Sequence, residues 1–183
     1  MAEYSTMRRV ITAQNEKGEG IVALDDRVEP IIAEGRNSNR GQQLWQLWGY
    51  DGIPQLPDDG VARFTSSIFA PPGGYRVHIC EFPGEGNTLT PRGQWPPLGT
   101  ALGRLDTGEV SDQIGDVNDD IVHYTDSVDL MIVLEGEVTL RLSDGDVTVK
   151  AGDVMIINGS PHAWKLSGKP CRICMVALGA ERN

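Results

Sequence analysis

The chain has 183 residues, a length that fits one domain, or one domain with appendages. Its 16 basic and 26 acidic side chains give a net charge of −10, which argues against nucleic acid or an anionic membrane as partner, because either needs clustered Lys and Arg. The apolar runs have at most six residues, the N-terminal segment has no signal-peptide pattern, and there are only three cysteines. We therefore expect a cytoplasmic protein with no membrane span.

Short strands are predicted throughout the N-terminal part of the chain, residues 7–82. Glycine and proline number 22 and 11, which is above their average share and predicts many turns. Period-two alternation or a short apolar run occurs at four places: residues 10–13, 21–24, 42–49 and 75–82. In the last of these, Tyr75, Val77 and Ile79 share one face. His78 lies on the opposite face, where we expect it to contact solvent.

Residues 83–120 form a long stretch rich in glycine and proline, too long for an ordinary connection between strands. Directly after Pro96 and Pro97, apolar residues recur at the spacing of one helix face: Leu98, Ala101, Leu102 and Leu105. We therefore expect a surface excursion with one short helix. Because long loops in compact domains are often functional, this stretch is a candidate lid over a binding site.

The clearest strand pattern lies in the C-terminal third of the chain. Residues 128–134 are apolar on both faces, which predicts a strand covered on both sides, by the N-terminal strands or by a second subunit. The alternating segment 137–143 is followed by Asp144-Gly145, a pair typical of a tight hairpin turn, and by a second alternating segment. Further turns are expected at residues 151–153 and 158–161. Strands this short at this spacing predict an antiparallel sandwich or a small barrel.

The histidines are candidates for chemistry because imidazole serves as metal ligand and as general base. The chain has three of them: His78, His123 and His162. On a strand that begins at His123, Asp129 would share its face, with Thr125 and Ser127 between them. Six residues of straight strand would hold the two end Cα atoms about 20 Å apart, too far for a shared ion. Convergence of His123 and Asp129 therefore requires the chain to bend near residues 125–127.

This region resembles the two sequence motifs of the cupin superfamily. The first motif has His-x-His, three or four residues, Glu and a closing Gly, and corresponds to His123-Tyr-Thr125-Asp-Ser-Val-Asp129-Leu-Met-Ile-Val-Leu-Glu-Gly136. The second has Gly-Asp, a strand, a turn containing Gly and a His, and corresponds to Gly152-Asp153, residues 154–157, Asn158-Gly-Ser-Pro161 and His162.

The resemblance implies an all-β fold, the cupin-type double-stranded β-helix or jelly-roll barrel of short antiparallel strands, with one long Gly/Pro-rich insertion. It implies a single cupin domain over residues 1–183. The two motifs form its core in residues 121–179, and residues 7–82 supply the N-terminal strands. A homodimer formed by packing of sheets is also implied.

In cupins the motif positions bind one divalent metal ion through three histidines and one glutamate. Matched position by position, the resemblance implies that His123, Asp129 and His162 are metal ligands, while Thr125 occupies the second histidine position. Two imidazoles and one carboxylate suit Fe(II), and Zn, Mn, Co or Ni would also be held. His78 is an extra candidate for the missing ligand.

Other residues near these positions have candidate roles. Tyr124, beside the first ligand, is a candidate proton donor, although strand alternation points it away from the ligand face. Four side chains are expected to line the cavity: Thr125, Ser127, Met131 and Trp164. Structural interpretations stay open, with hydroxyl partners for the histidines, a backbone amide for Asp129 and a core position for Trp164. Cys171 and Cys174 lie three apart on a strand and face opposite sides, which predicts two buried thiols and not a redox pair.

Three functions are open at this point. The first is a metal-dependent enzyme acting on a small oxygenated or carboxylated molecule, with lyase-type chemistry through an enolate: decarboxylation, dehydration or isomerisation. A non-haem Fe(II) dioxygenase would use the same ligands and consume O₂. A non-catalytic barrel would bind a small molecule without turnover, and the threonine at position 125 favours it.

Overall fold

The computed structural model describes residues 6–30, 43–61, 69–82, 116–117, 120–121, 124–166 and 168–182. Every regular element in these ranges is a β-strand, in agreement with the all-β prediction. In chain order the strands are β1 Met7–Gln14, β2 Gly20–Val28, β3 Gln43–Tyr50, β4 Tyr75–Phe82, β5 Asp116–Val117, β6 Asp120–Ile121, β7 Ser127–Glu135, β8 Glu137–Leu142, β9 Gly145–Lys150, β10 Val154–Asn158, β11 Ala163–Leu166 and β12 Cys171–Gly179. The same ranges contain no helix long and apolar enough to cross a membrane.

Two antiparallel sheets carry the strands of the motif region. The large sheet has the order β10-β7-β12-β4-β3, and the small sheet has the order β11-β8-β9. Strands β7 and β10 pair in the large sheet, while β8 and β9, which continue them along the chain, pair in the small one. Strands β11 and β12 then add to β8 and β7. This winding of strand pairs between two sheets is the predicted double-stranded β-helix, or jelly roll.

The core lies between the two sheets and is filled by alternate residues of each strand. The large sheet contributes inward side chains such as Met131, Val133 and Ile173, and the small sheet contributes Val138 and Leu140. Complete burial of one side chain of this size contributes about 1.5–3 kcal/mol. Apolar contact between the sheets is therefore the main interaction that holds the motif strands in place.

Gly136 separates β7 from β8, where the chain passes from one sheet to the other. Its φ of +74° lies in the left-handed region, and a Cβ atom at this position would come within 2.0 Å of the Pro170 carbonyl oxygen. No residue with a side chain fits that contact without moving the backbone. The sequence of the first motif therefore ends in glycine for a steric reason.

The β8–β9 hairpin is confirmed, but its turn lies one residue earlier than predicted. Leu142 pairs with Gly145, so Ser143 and Asp144 form the turn and the Asp144-Gly145 assignment is wrong. The observed register places Arg141 opposite Asp146, and their side chains form an ion pair of 3.0 Å. This cross-strand pair favours the observed register.

The outer face of β7 carries exposed apolar side chains, so the N-terminal strands that the structure describes do not cover it, and cover by a second subunit stays a prediction. Leu130 and Leu134 are 38% and 45% exposed. Flanking strands extend this surface with three further exposed apolar residues: Val154, Ile156 and Leu178. Strand β7 therefore has one apolar face in the core and one apolar face that is exposed.

The N-terminal strands β3 and β4 extend the large sheet, in which β4 pairs with β12. Strands β1 and β2 form a separate two-stranded sheet, tied to β3 where Arg9 donates a 2.8 Å hydrogen bond to the Leu47 carbonyl oxygen. Between β3 and β4, the buried Arg76 forms an ion pair with Asp51 and donates to the Tyr50 carbonyl oxygen. The carboxylate of Asp51 compensates the charge of the buried guanidinium.

The predicted lid, residues 83–120, lies almost entirely outside the described residues, as does the helix expected at residues 98–105. Within this stretch the structure describes the backbone of β5 and the start of β6, which pair with each other. The lid and its helix therefore stay predictions.

Candidate functional site

A bend in the chain just before β7 brings three polar side chains together. The backbone bends at Asp126, within the segment where the sequence predicted a bend. Thr125 Oγ1 donates a hydrogen bond to Asp129 Oδ2 at 3.2 Å, and Ser127 Oγ donates one to Asp129 Oδ1 at 2.6 Å. The two hydroxyl oxygens are 2.7 Å apart. Hydroxyl groups thus hold both carboxylate oxygens, in place of the backbone amide that the structural interpretation expected.

Asp129 is a buried carboxyl group on the inward face of β7. Desolvation raises its pKa above the ordinary value, and the hydrogen bonds from Ser127 and Thr125 oppose this effect only in part. A positive charge close to Asp129 would favour its ionised form. The environment of this carboxyl group is therefore suited to a bound cation.

His162 lies immediately before β11 and is almost completely buried. Its Nδ1 atom is 2.8 Å from the Ser160 carbonyl oxygen, and because a carbonyl only accepts, Nδ1 carries the proton. The lone pair is then on Nε2, which is the tautomer of a histidine that binds metal through Nε2. Burial lowers the pKa of His162, although the hydrogen bond to Ser160 raises it in part, so the imidazole is neutral at pH 7.

Arg182 joins the segment before β7 to the turn before His162. Its Nη2 atom donates to the carbonyl oxygens of Thr125 at 2.9 Å and Gly159 at 3.1 Å, and its Nε donates to the Asp126 carboxylate. Gly159 has a φ of +58°, and a Cβ atom there would lie 3.0 Å from the Thr125 carbonyl oxygen. This close approach of the two backbones positions Asp129 and His162 at the same end of the barrel.

The predicted cavity-lining residues face the barrel interior or its edge. Thr125, Ser127 and Met131 are buried. Trp164 is half-buried, and its ring contacts His162 edge-on, with ring centroids 5.4 Å apart. These neighbours restrict the orientations that the two candidate ligands can adopt.

Tyr124, the candidate proton donor, is buried at the same end of the barrel. The Arg182 guanidinium lies 4.5 Å from the centroid of its ring, a cation–π contact. Its role as a donor stays a prediction.

His123, the predicted first ligand, lies outside the described residues. Within the described ranges, no group of three or more His, Cys, Asp or Glu side chains is close enough to hold a metal ion. Asp129 and His162 are the two predicted ligands that the structure describes, and His78 does not complete a group of three with them. The metal site with His123 stays a prediction.

His78 is buried, so the expectation that it contacts solvent is wrong. It is 0% exposed and lies on the same face of β4 as Cys80 and Phe82, both of which belong to the core. The opposite face, with Ile79, is also covered. Strand alternation identified the two faces correctly, but both are apolar enough to be buried, so the pattern alone could not identify the inner one.

Burial has a consequence for the titration of His78. Desolvation lowers its pKa to about 4, and the charge of Arg76 adds to this effect. The folded state therefore resists protonation of His78, whereas the unfolded chain binds a proton near pH 6.5. The contribution of His78 to stability is present above pH 6.5 and is lost as the pH falls toward 4.

We expect a His78→Leu variant to lose less stability on acidification than the wild type. Between pH 7 and pH 4.5 the wild type should lose about 2 kcal/mol more, from the size of the pKa difference. Urea unfolding of chelator-treated protein at both pH values measures this difference. An equal loss of stability in wild type and variant would show that His78 does not titrate abnormally.

The cysteines do not form a redox pair. Cys171 is buried, Cys174 is half-buried, and both are free thiols. Burial raises the pKa of Cys171 to about 11 and also raises that of Cys174, so neither is a thiolate at pH 7. The sequence predicted two buried thiols that face opposite sides of the strand. The predicted burial is wrong for Cys174, which is half-buried.

Sequence reasoning missed Arg182 and Arg76. Arg182 follows the last strand by three residues and has no motif around it. Arg76 alternates with apolar residues on β4, a position that usually indicates a solvent-facing side chain. The charge of Arg76 is compensated by Asp51, 25 residues away along the chain, and no local signal marks such a pair.

No family model matches the chain. Two curated relatives, both from Diaporthe leptostromiformis, match part of it. Phomopsin biosynthesis cluster protein D is 32% identical over 77 residues, which cover 42% of this chain and 37% of the relative. Phomopsin biosynthesis cluster protein C' is 39% identical over 46 residues, which cover 25% of this chain and 24% of the relative. The matches span well under half of either relative.

Two solved structures resemble the chain over most of its length. The first is a crystal structure described as that of an ethanolamine utilization protein Q from Salmonella typhimurium. It has a TM-score of 0.45 and 14% identity, and the alignment covers 97% of this chain and 99% of that one. The cupin domain of Cnp3 from Schizosaccharomyces pombe has a TM-score of 0.45 and 11% identity, with 94% and 87% covered. Neither likeness is close enough to carry a conclusion about this chain.

Proposed function

We propose that the chain is a metal-dependent enzyme of the cupin type that acts on a small oxygenated or carboxylated organic molecule. The observation that carries the proposal is the pair of buried groups at the motif positions. Asp129 is a carboxyl group whose pKa is raised by desolvation, and His162 is a neutral imidazole with its proton held on Nδ1 by the Ser160 carbonyl. A carboxylate and a neutral imidazole are donors that divalent metal ions bind.

His123, Asp129 and His162 would hold one divalent ion of Fe, Zn, Mn, Co or Ni. When bound, the ion would polarise a carbonyl or carboxylate oxygen and favour an enolate, which is the chemistry of decarboxylation, dehydration or isomerisation. Two neutral imidazoles and one carboxylate leave such a site with a formal charge of +1, so an anionic oxygen is the favoured substrate group.

The chain's own residues would orient these groups. Ser127 and Thr125 hold the Asp129 carboxylate through their hydroxyl groups, and Ser160 fixes the tautomer of His162. Such outer contacts orient a ligand and tune its basicity. Tyr124 is the proposed proton donor at this end of the barrel.

The partial relatives support a biosynthetic role. Both are named as proteins of a phomopsin biosynthesis cluster. We infer that the substrate of this chain is an intermediate in the synthesis of an organic product. Because the matches cover less than half of each relative, only this broad class is transferred.

Binding without catalysis is the second candidate function. The observation that favours it is that both carboxylate oxygens of Asp129 already accept hydrogen bonds from hydroxyl groups. In this alternative, Thr125 replaces the second histidine of the motif, and the barrel interior is stable without a metal ion. A small molecule would then bind tightly and leave unchanged.

Elemental analysis of protein purified without chelator or nickel resin tests the proposal. We expect one divalent ion per chain, and turnover of a carboxylated or enolisable substrate from a panel of organic acids. Turnover without O₂ uptake indicates the lyase, and O₂ uptake coupled to turnover indicates an Fe(II) dioxygenase. A protein that contains no divalent ion and gains none on incubation with these five metals would overturn metal dependence.

We also propose that the exposed face of the large sheet is the contact of a homodimer. Ile156, Leu130 and Val176 are cross-strand neighbours on this face, and Ile156 and Leu130 are 50% and 38% exposed. Contiguous apolar surface of this kind is typical of interfaces. The two copies would pack sheet against sheet.

A double substitution, Leu130→Arg with Ile156→Arg, should convert the dimer to a monomer because four buried charges would face each other across the contact. Sedimentation equilibrium measures the mass. Ile53→Arg is the control, because Ile53 is 79% exposed and lies in the loop between β3 and β4. A wild type that sediments as a monomer, or a control that dissociates equally, would contradict the proposed face.

A further inference from the structure

His78 is a buried polar side chain without a visible partner. Neither of its ring nitrogens has a hydrogen-bond partner among the residues that the structure describes, and the side chain is 0% exposed. An imidazole in this state lacks the hydrogen bonds that water would give it, which costs free energy unless another group binds there. Because its pKa is lowered to about 4, the imidazole is neutral and offers a lone pair at physiological pH.

Three methionines continue from His78 across the large sheet. His78 of β4 pairs with Met175 of β12, Met175 pairs with Met131 of β7, and Met131 pairs with Met155 of β10. Directly opposed residues of antiparallel strands point to the same face, with Cβ atoms about 4.5–5.5 Å apart. We call these four residues the methionine row.

The methionine row faces the core. Met131 and Met155 belong to the core cluster, and Met175 packs against it. Cys80, two residues from His78 on the same face, also belongs to that cluster. The methionine row therefore lies in the closely packed region between the two sheets.

We propose that His78, Met175 and Met131 form a binding site for Cu(I), distinct from the divalent site at Asp129 and His162. Thioether sulfur and neutral imidazole are soft or borderline ligands, which select Cu(I) over hard cations. All three ligands are uncharged, so the bound ion would have a single positive charge, which costs less to bury than a double charge. Met155, at the far end of the row, is not a ligand.

Charges around this site are consistent with a monovalent cation. Asp129 lies two residues from Met131 on the same face of β7, and its carboxylate would compensate the charge of the ion. Arg76 lies two residues from His78, but its guanidinium is paired with Asp51. Burial raises the pKa of Cys80 to about 12, so in the absence of a metal ion its thiol is protonated and adds no negative charge beside the site.

Anaerobic titration of chelator-treated protein with Cu(I), in competition with bicinchoninate, tests this site. We expect the wild type to bind one equivalent. His78→Gln and Met175→Leu should each lower the affinity by about tenfold or more, because each removes one of three ligands. Met155→Leu is the matched control, as the same chemical change at the end of the row should leave the affinity unchanged. Leu replaces Met with little change in volume, so both Leu variants are expected to fold.

X-ray absorption of the Cu(I)-loaded wild type gives a second readout. Sulfur and nitrogen neighbours of copper are expected, and the nitrogen contribution should disappear in His78→Gln if that variant still binds copper. Three outcomes would overturn the proposal: no binding by the wild type, equal affinity in all variants, or loss of binding in Cys80→Ala with no change in Met175→Leu. The last two would assign copper to thiols elsewhere in the chain.

Discussion

A His162→Ala variant is expected to remain folded and to contain no divalent metal ion. His162 is one of the three proposed ligands, and two remaining ligands do not hold a labile ion in competition with water and buffer. Elemental analysis of wild type and variant, purified side by side without chelator or nickel resin, measures the loss. Thermal unfolding of both proteins after chelator treatment establishes that the variant is folded.

His78→Gln is the matched control for this experiment. It also removes a buried imidazole from the barrel interior, but His78 forms no group of three with Asp129 and His162. The control should therefore keep its divalent ion and lose affinity for Cu(I), whereas His162→Ala should show the reverse. Equal metal content in wild type and His162→Ala would remove His162 from the ligand set.

Strands such as β7 and β8 could be predicted from sequence because one side of each is buried and the turns beside them have distinctive residues. The alternation of Val138 and Leu140 with polar neighbours fixed the face of β8 that enters the core. The exact turn of the β8–β9 hairpin could not be predicted, because both registers place a glycine near the turn. The Arg141–Asp146 ion pair becomes apparent only when the strands are paired.

The candidate site was predictable where it depends on residues close in sequence. Thr125, Ser127 and Asp129 were expected to share a face, and the structure joins them by hydrogen bonds. Contacts between distant segments were not predictable. The position of His162 relative to this group depends on Arg182, which binds the Thr125 and Gly159 carbonyl groups from a segment beyond the last strand.

The burial of His78 illustrates a limit of alternation as a guide. Tyr75, Val77 and Ile79 form the more apolar face of β4, and the sequence therefore favoured that face for the core. In the structure the other face turns inward, because Cys80 and Phe82 continue it into the region between the sheets. The other face of β4 is covered as well at Ile79, and the hydrophobicity of single residues does not rank two covered faces.

The effect of the Asp129 carboxylate on the free energy of unfolding should change sign when a metal ion binds. Burial raises its pKa in the folded state, so its contribution to stability is complete below the unfolded pKa and decreases as the pH rises through the folded value. Above the folded pKa, the metal-free wild type therefore contains an unfavourable buried carboxylate. Asparagine is neutral and can keep both contacts, accepting from Ser127 and donating to Thr125.

We expect Asp129→Asn to be more stable than the wild type in the metal-free state at pH 7, with the difference shrinking as the pH falls toward about 4. With the divalent ion present the order should reverse, because binding at 100 times Kd stabilises the wild type by about 2.7 kcal/mol and the variant lacks a ligand. Thermal unfolding with chelator and with added metal measures both effects. Glu181→Gln, the same change on an exposed residue, is the control. If Asp129→Asn is more stable than the wild type under both conditions, Asp129 is a buried carboxyl group that does not bind metal, and the second candidate function, binding without catalysis, is favoured.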